Sequence, residues 1–226
     1  MSITNLLGAL GAAVGRARLS VDEEIFKKLA PDAPLSVSIG TKVKGRLLTT
    51  AEIMKCYGQP GDPDNLTVIT LPYPFRIAWE PNKTTNRITC HKKIAVRLMA
   101  VFNDLLIEYG PVGVKEKGID LFGGCLNFRP QRGLEKKYEA AIKAKKYELA
   151  YTYLSRHSWA TAIDLDPTRN ALKTKAPAAQ FSKPEYKSMN DIFYKHGFIG
   201  YGRERNNDWM HYEIGVLIPD NEVYKP

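Results

Sequence analysis

Ser155-Arg156-His157-Ser158-Trp159-Ala160-Thr161-Ala162-Ile163-Asp164 is the stretch on which the reading of this chain turns. It sets a histidine and an aspartate seven positions apart, with small and apolar residues between them. From Ala160 the pattern alternates as in a strand: Thr161 and Ile163 point one way, Ala162 and Asp164 the other. Imidazole and carboxylate together suit a borderline metal such as zinc. A third ligand follows in Asp208-Trp209-Met210-His211-Tyr212-Glu213. His157, Asp164 and His211 would leave a fourth tetrahedral position for water, the arrangement that separates catalytic from structural zinc. Asp208, three residues before His211, is placed to serve as general base.

Moving outward, Met210–Leu217 alternates as a last core strand, with Glu213 on the same face as His211. Glu213 is expected either to orient a ligand by hydrogen bonding or to form an ordinary salt bridge, and it is the second candidate for the base. Asp166 shares the face of Asp164 but is the less favoured ligand. His91 and His196 have no carboxylate at metal spacing and read as structural. Trp159 and Trp209 read as packing residues. The strongest helix is Lys92–Tyr109, whose broad apolar face ends at Gly110-Pro111. A second helix is expected over Pro184–His196 and a basic helical stretch over Gly133–Leu154. Pro167–Lys183 reads as a surface excursion. Two strands are expected at Leu66–Leu71 and Phe75–Trp79, separated by Pro72 and Pro74, with a polar turn over Glu80–Arg87. Strands and helices mix without regular alternation, which defines an α+β fold.

The N-terminal part is less informative. Val21–Leu29 has helical spacing, Leu35–Leu48 a hairpin-like alternation, and Thr49-Thr50-Ala51-Glu52 the signature of a capped helix start. Gly58–Asn65 is dense in glycine and proline. These features divide the chain into a segment 1–58 without an assigned role and a domain 59–226. The apolar run Ile3–Val14 lacks a basic flank and a clear cleavage site, so it does not read as a standard signal peptide. No run is long enough to span a bilayer.

The 226 residues carry a net charge of +9. Such a surface favours polyanions: nucleic acid, acidic lipids or anionic cell-wall polymers. No zinc finger, RNP motif or helix-turn-helix supports the nucleic-acid reading. The three cysteines, Cys56, Cys90 and Cys125, are widely spaced and odd in number, which excludes a disulfide scaffold and suits a reducing compartment.

The motifs Ser-x-His-(six residues)-Asp and Asp-x-x-His resemble the zinc peptidases that cut D-amino-acid-containing cell-wall peptides. These include D-alanyl-D-alanine carboxypeptidases and phage L-alanyl-D-glutamate endolysins. Asn127-Phe128-Arg129 is similar to the arginine segment of that family, and Ile192–Phe198 to its approach to the last ligand. The resemblance runs from Leu66 to Ile214; Ala160 stands where many members have glycine. It implies a small, mostly antiparallel sheet carrying the ligands and packed against helices, the fold shared by Hedgehog and D-Ala-D-Ala peptidases. It implies Zn2+ on His157, Asp164 and His211, with Asp208 as base. Arg129, or failing it Arg132, would steady the oxyanion, and Ser155 would contact substrate or the metal loop. The implied substrate is the stem peptide of peptidoglycan. The implied setting is the bacterial cell wall, reached after synthesis in the cytoplasm, as in phage lysis. The other class kept open is a zinc-bearing binding or structural module without catalysis, against which the retained Asp208 speaks.

Overall fold

The computed structural model describes residues 43–219. The Ile3–Val14 run and the Val21–Leu29 helix lie outside the described residues, as does most of the Leu35–Leu48 stretch. Its described end forms β1 (Val43–Leu47), which pairs antiparallel with the distant Gly215–Pro219 rather than within a local hairpin. Thr49 then caps α1 (Thr50–Tyr57): its hydroxyl accepts from the Glu52 amide at 3.2 Å, and the Glu52 carboxylate accepts from the Thr49 amide at 2.7 Å. Arg46 grips the same carboxylate with two bonds, and this pairing holds the Glu52 pKa down to about 2. Strand β1 and helix α1 precede residue 59, yet β1 extends the sheet and Ile53 is fully buried in the core.

The next two elements correct the sequence reading. β2 (Leu66–Ile77) runs unbroken through Pro72 and Pro74, and β3 (Glu80–His91) occupies what reads as a polar turn. Thr70 faces Arg87 and Phe75 faces Thr85, so residues 71–74 bulge opposite a single partner position. A bulge accommodates prolines, which have no amide to give to the ladder. Ile77 pairs with Glu80, leaving only Ala78-Trp79 to turn the hairpin. The outer half of β3 is polar because β3 is an edge strand and that half is exposed.

The long helix α2 (Ala95–Glu116) breaks at Gly110, whose φ of 64° is open to glycine, and then resumes through Pro111 instead of stopping there. β4 (Leu121–Gly124), α3 (Glu135–Lys143), α4 (Tyr147–Thr152), β5 (Ala162–Leu165), α5 (Lys187–Lys195), β6 (Phe198–Gly200), α6 (Tyr201–Arg205) and β7 (His211–Pro219) complete the described chain. The strand order is β1-β7-β5-β4-β2-β3, with β6 also paired to β7. Only β2 and β4 run parallel, so the architecture is α+β with a mostly antiparallel sheet.

One face of the central strands builds the core. Ile163 and Leu165 of β5 and Tyr212 and Ile214 of β7 join Leu98, Val101, Phe102 and Leu105 of α2 and Phe193 of α5. Phe193 and Tyr212 stack with centroids 3.9 Å apart. Burying each such side chain contributes about 1.5–3 kcal/mol, which is what pins the strand faces. The period of two then commits Ala162, Asp164, His211 and Glu213 to the opposite face. No helix among the described residues is long and apolar enough to cross a membrane.

Candidate metal centre

Register brings the site together. Asp164 lies directly across from His211, and Ala162 across from Glu213, so the two strands present a carboxylate beside an imidazole and a small residue beside a carboxylate. β4 lies against Asp164 because residue 123 is glycine: a Cβ there would stand 2.9 Å from the Asp164 Cβ. His157 comes from elsewhere. It sits in a 3-10 turn, Arg156–Trp159, not on the strand. Ser155 caps that turn, accepting from the His157 amide at 3.4 Å. Ala160 closes it at φ 53°, a left-handed conformation that suits the glycine of the resembling family.

The three side chains converge. His157 Nε2 is 3.2 Å from His211 Nδ1 and 3.2 Å from Asp164 Oδ1, and His211 Nδ1 is 2.9 Å from the same oxygen. All three residues are buried. The other nitrogen of each ring is committed: His157 Nδ1 donates to the Cys125 carbonyl at 2.8 Å, and His211 Nε2 donates to Glu213 Oε2 at 3.0 Å. Each ring is thus oriented by a bond on its far side, the usual support for a metal-ligating histidine. A tetrahedral zinc with bonds of about 2.0–2.1 Å separates its ligand atoms by about 3.3 Å. The observed spacings are close to that edge, and two imidazoles with one carboxylate are a donor set zinc accepts. The residues present therefore fit such an ion.

The electrostatics agree. Burial works against ionising Asp164, but His157 and His211 outweigh it and hold its carboxyl well below the usual range. Burial likewise opposes the His211 imidazolium, yet Asp164 and Glu213 push its pKa up to about 10. Metal-free protein at neutral pH therefore carries a proton on the His211–Asp164 pair, and a metal must displace it. Zinc uptake is expected to release about one proton at pH 7. Its apparent affinity should weaken about tenfold for each unit the pH falls below 7, since the site binds protons more tightly than unfolded histidine does. Calorimetric titration of chelator-treated protein in buffers of differing ionisation enthalpy measures the release. Zero protons would show that His211 is already neutral in the metal-free protein, against the raised pKa.

A cavity of about 180 Å³ opens on this cluster, lined by Asp164 and His211 together with Ser155, Arg129, Arg132, Asp208 and Glu213. Asp208 has φ 54°, a turn conformation aspartate tolerates, and its carbonyl accepts from the His211 amide at 3.0 Å. Its Oδ1 is buried without a hydrogen-bond partner among the described residues. Burial, aided by the charge of Asp164, raises its pKa against the pull of His211 and Arg132. The Arg129 backbone is tied to the histidine turn: its amide donates to Ser158 Oγ at 3.1 Å and its carbonyl accepts from the Ser155 amide at 3.0 Å. Arg132 is exposed and lines the same cavity. Asp166 is not part of the cluster. It lies past the strand end at φ 46°, where the alternation that would place it beside Asp164 is broken, and it pairs with Arg169. His91 and His196 are held by the Tyr57 carbonyl and by Asp104, away from the cluster. Trp159 is core, its indole donating to the Gly58 carbonyl.

Three residues of the site are missed by sequence reasoning. Arg156 pairs with Glu213, Nε to Oε1 3.7 Å. Tyr201 stands edge-on to His211 at 4.7 Å, its phenol pushed up by burial and by the charge of Glu213. Arg205 lies over the Tyr201 ring at 4.9 Å. All three line the cavity. Only Arg156, adjacent to a ligand, carries a signal that could have flagged it.

The family model described as D-alanyl-D-alanine carboxypeptidase matches residues 150–214. The matched segment takes in the whole His157, Asp164 and His211 cluster along with Ser155, Asp208 and Glu213; Arg129 and Arg132 lie before it. This similarity supports a peptidase, and the cluster it contains could hold a metal. No curated protein and no solved structure matched the chain.

Proposed function

We propose that this chain is a zinc-dependent peptidase of bacterial cell-wall peptides, hydrolysing the stem peptides of peptidoglycan. The observation that carries the reading is the convergence of three metal-binding atoms within 4.8 Å of one another inside the segment similar to D-alanyl-D-alanine carboxypeptidases. His157, Asp164 and His211 would hold the ion. Zinc bound there supplies Lewis acidity, polarising a peptide carbonyl and acidifying water. Asp208, with a raised pKa and a buried oxygen lacking a partner, takes the proton from the attacking water and passes it to the leaving amine. Arg129 faces the same cavity and steadies the oxyanion, with Arg132 as its alternative. Ser155 holds the histidine turn, and Glu213 holds His211.

Digestion of purified peptidoglycan by the zinc-loaded protein, followed by mass analysis, tests this. New stem-peptide termini are expected. Loss of a terminal D-residue would define a carboxypeptidase, and internal cuts an endolysin-type endopeptidase. An uncleaved wall would leave a zinc-bearing binding module and sink the catalytic reading.

A further expected outcome concerns the anionic polymers of the wall. Lys136, Lys137, Lys145 and Lys146 are exposed on or beside α3 and contribute nothing to the cluster. Replacing all four with glutamine should slow lysis of intact wall, chiefly through the association rate, and leave cleavage of a soluble stem peptide nearly unchanged. The advantage of the unaltered protein on intact wall should fade with salt, as the Debye length falls from about 10 Å at 0.1 M to about 3 Å at 1 M. Equal losses on both substrates would show that the helix supports the fold instead.

A further inference from the structure

Arg156 offers no ligand atom, yet its side chain is 13% exposed and reaches in three directions. Nε lies 3.7 Å from Glu213 Oε1, Nη2 donates to the Leu48 carbonyl at 2.7 Å, and Nη1 donates to Thr50 Oγ1 at 3.4 Å. Glu213, 1% exposed, accepts in turn from His211 Nε2 at 3.0 Å. A continuous line of polar contacts therefore runs from Leu48 through Arg156 and Glu213 to His211. Its far end is anchored by the cap that Thr49 and Glu52 form between β1 and α1. That junction lies about a hundred residues before the segment similar to the peptidase family.

We infer that Arg156 is a positioning residue of the metal centre, and that through it the β1–α1 junction becomes part of that centre. The physical reason is the burial of Glu213. A carboxylate taken out of water needs a cation and fixed hydrogen bonds to stay in one orientation. Besides the His211 imidazole, the Arg156 guanidinium is paired with it, and a guanidinium can hold a carboxylate, a carbonyl and a hydroxyl at once. With Glu213 held, the His211 ring is held, and its Nδ1 stays turned toward Asp164 and His157. Loosening Glu213 frees the ring to rotate away from the cluster. Arg156 also lines the cavity, so a direct contact with substrate is the competing role.

The inference rests on the metal reading, and the test separates the two. Zinc affinity is measured by competition with a chelator for the unaltered protein, Arg156→Ala, Glu213→Gln, the double variant and Arg156→Lys. Each melting temperature is taken in chelator. Arg156→Ala and Glu213→Gln are each expected to lose about 10–100-fold in zinc affinity, the range for partners that orient a metal ligand. The double variant should lose no more than the worse single one. Arg156→Lys keeps the charge but, with all its donors on one nitrogen, cannot span the three partners that three separate guanidinium nitrogens reach, and should lose about tenfold; this arm stands even where the alanine variant does not fold. Wild-type affinity in Arg156→Lys, or losses that multiply in the double variant, would overturn the inference. So would a raised KM or a lowered melting temperature with zinc affinity intact. Failure of the unaltered protein to bind zinc would overturn the metal reading, and this inference with it.

Discussion

Asp208→Asn should keep its zinc and lose about 10²–10⁴-fold in turnover, the usual contribution of a positioned acid–base group. Asparagine is the informative replacement. Asp208 occupies a left-handed conformation at φ 54° and its carbonyl starts the turn into β7, so the residue also shapes the chain. Asparagine tolerates that conformation and keeps the volume, removing only the ability to take a proton. Asp208→Ala removes the carboxylate too, but adds backbone strain of about 1–2 kcal/mol beside His211. Comparing the two separates chemistry from shape: both should lose turnover alike, with alanine losing stability in addition. Zinc content and turnover of a soluble stem peptide are the measurements. Undiminished turnover in Asp208→Asn would remove the base assignment. Glu213 is then a poor substitute, since its carboxylate is engaged by His211 and Arg156.

His157→Ala and His211→Ala should each abolish stoichiometric zinc binding and with it hydrolysis. The unaltered protein should hold about one zinc per chain. The free energy of a structural zinc is about 10–16 kcal/mol over four ligands, so one ligand is worth about 2.5–4 kcal/mol, or about 10²–10³-fold in affinity. The two variants should differ in the metal-free state. Removing His211 leaves the buried carboxylates of Asp164 and Glu213 without the imidazole between them, at a cost of about 3–5 kcal/mol. Removing His157 breaks its bond to the Cys125 carbonyl and its contact with Asp164, but leaves His211 between the two carboxylates. His157→Ala is therefore expected to be the less destabilised of the two without metal. Metal analysis and melting curves in chelator check both. Full zinc occupancy in both variants would place the metal elsewhere.

The sequence by itself determined those features that depend on residue type at short range. Alternation from Ala160 to Asp164 and from Met210 to Leu217 put the apolar residues on one face and Asp164, His211 and Glu213 on the other. The Thr49–Glu52 cap and the apolar face before Gly110 are equally local. What was not legible depends on partners far along the chain. The polar composition of Glu80–Arg87 cannot distinguish a turn from a solvated edge strand, and the prolines at 72 and 74 cannot announce the bulge that admits them. His157 reads as the neighbour of a strand, but a left-handed residue at Ala160 turns it into a separate 3-10 turn. The atoms that orient the cluster are harder still: a carbonyl at Cys125 has no side-chain signature, and Arg156 meets Glu213 only because β5, β7 and the β1–α1 junction close together. Spacing nominates ligands one by one. Strand register, set by burial of the opposite face, brings Asp164 Oδ1 to 2.9 Å from His211 Nδ1, and the separate turn that carries His157 brings its Nε2 to 3.2 Å from both.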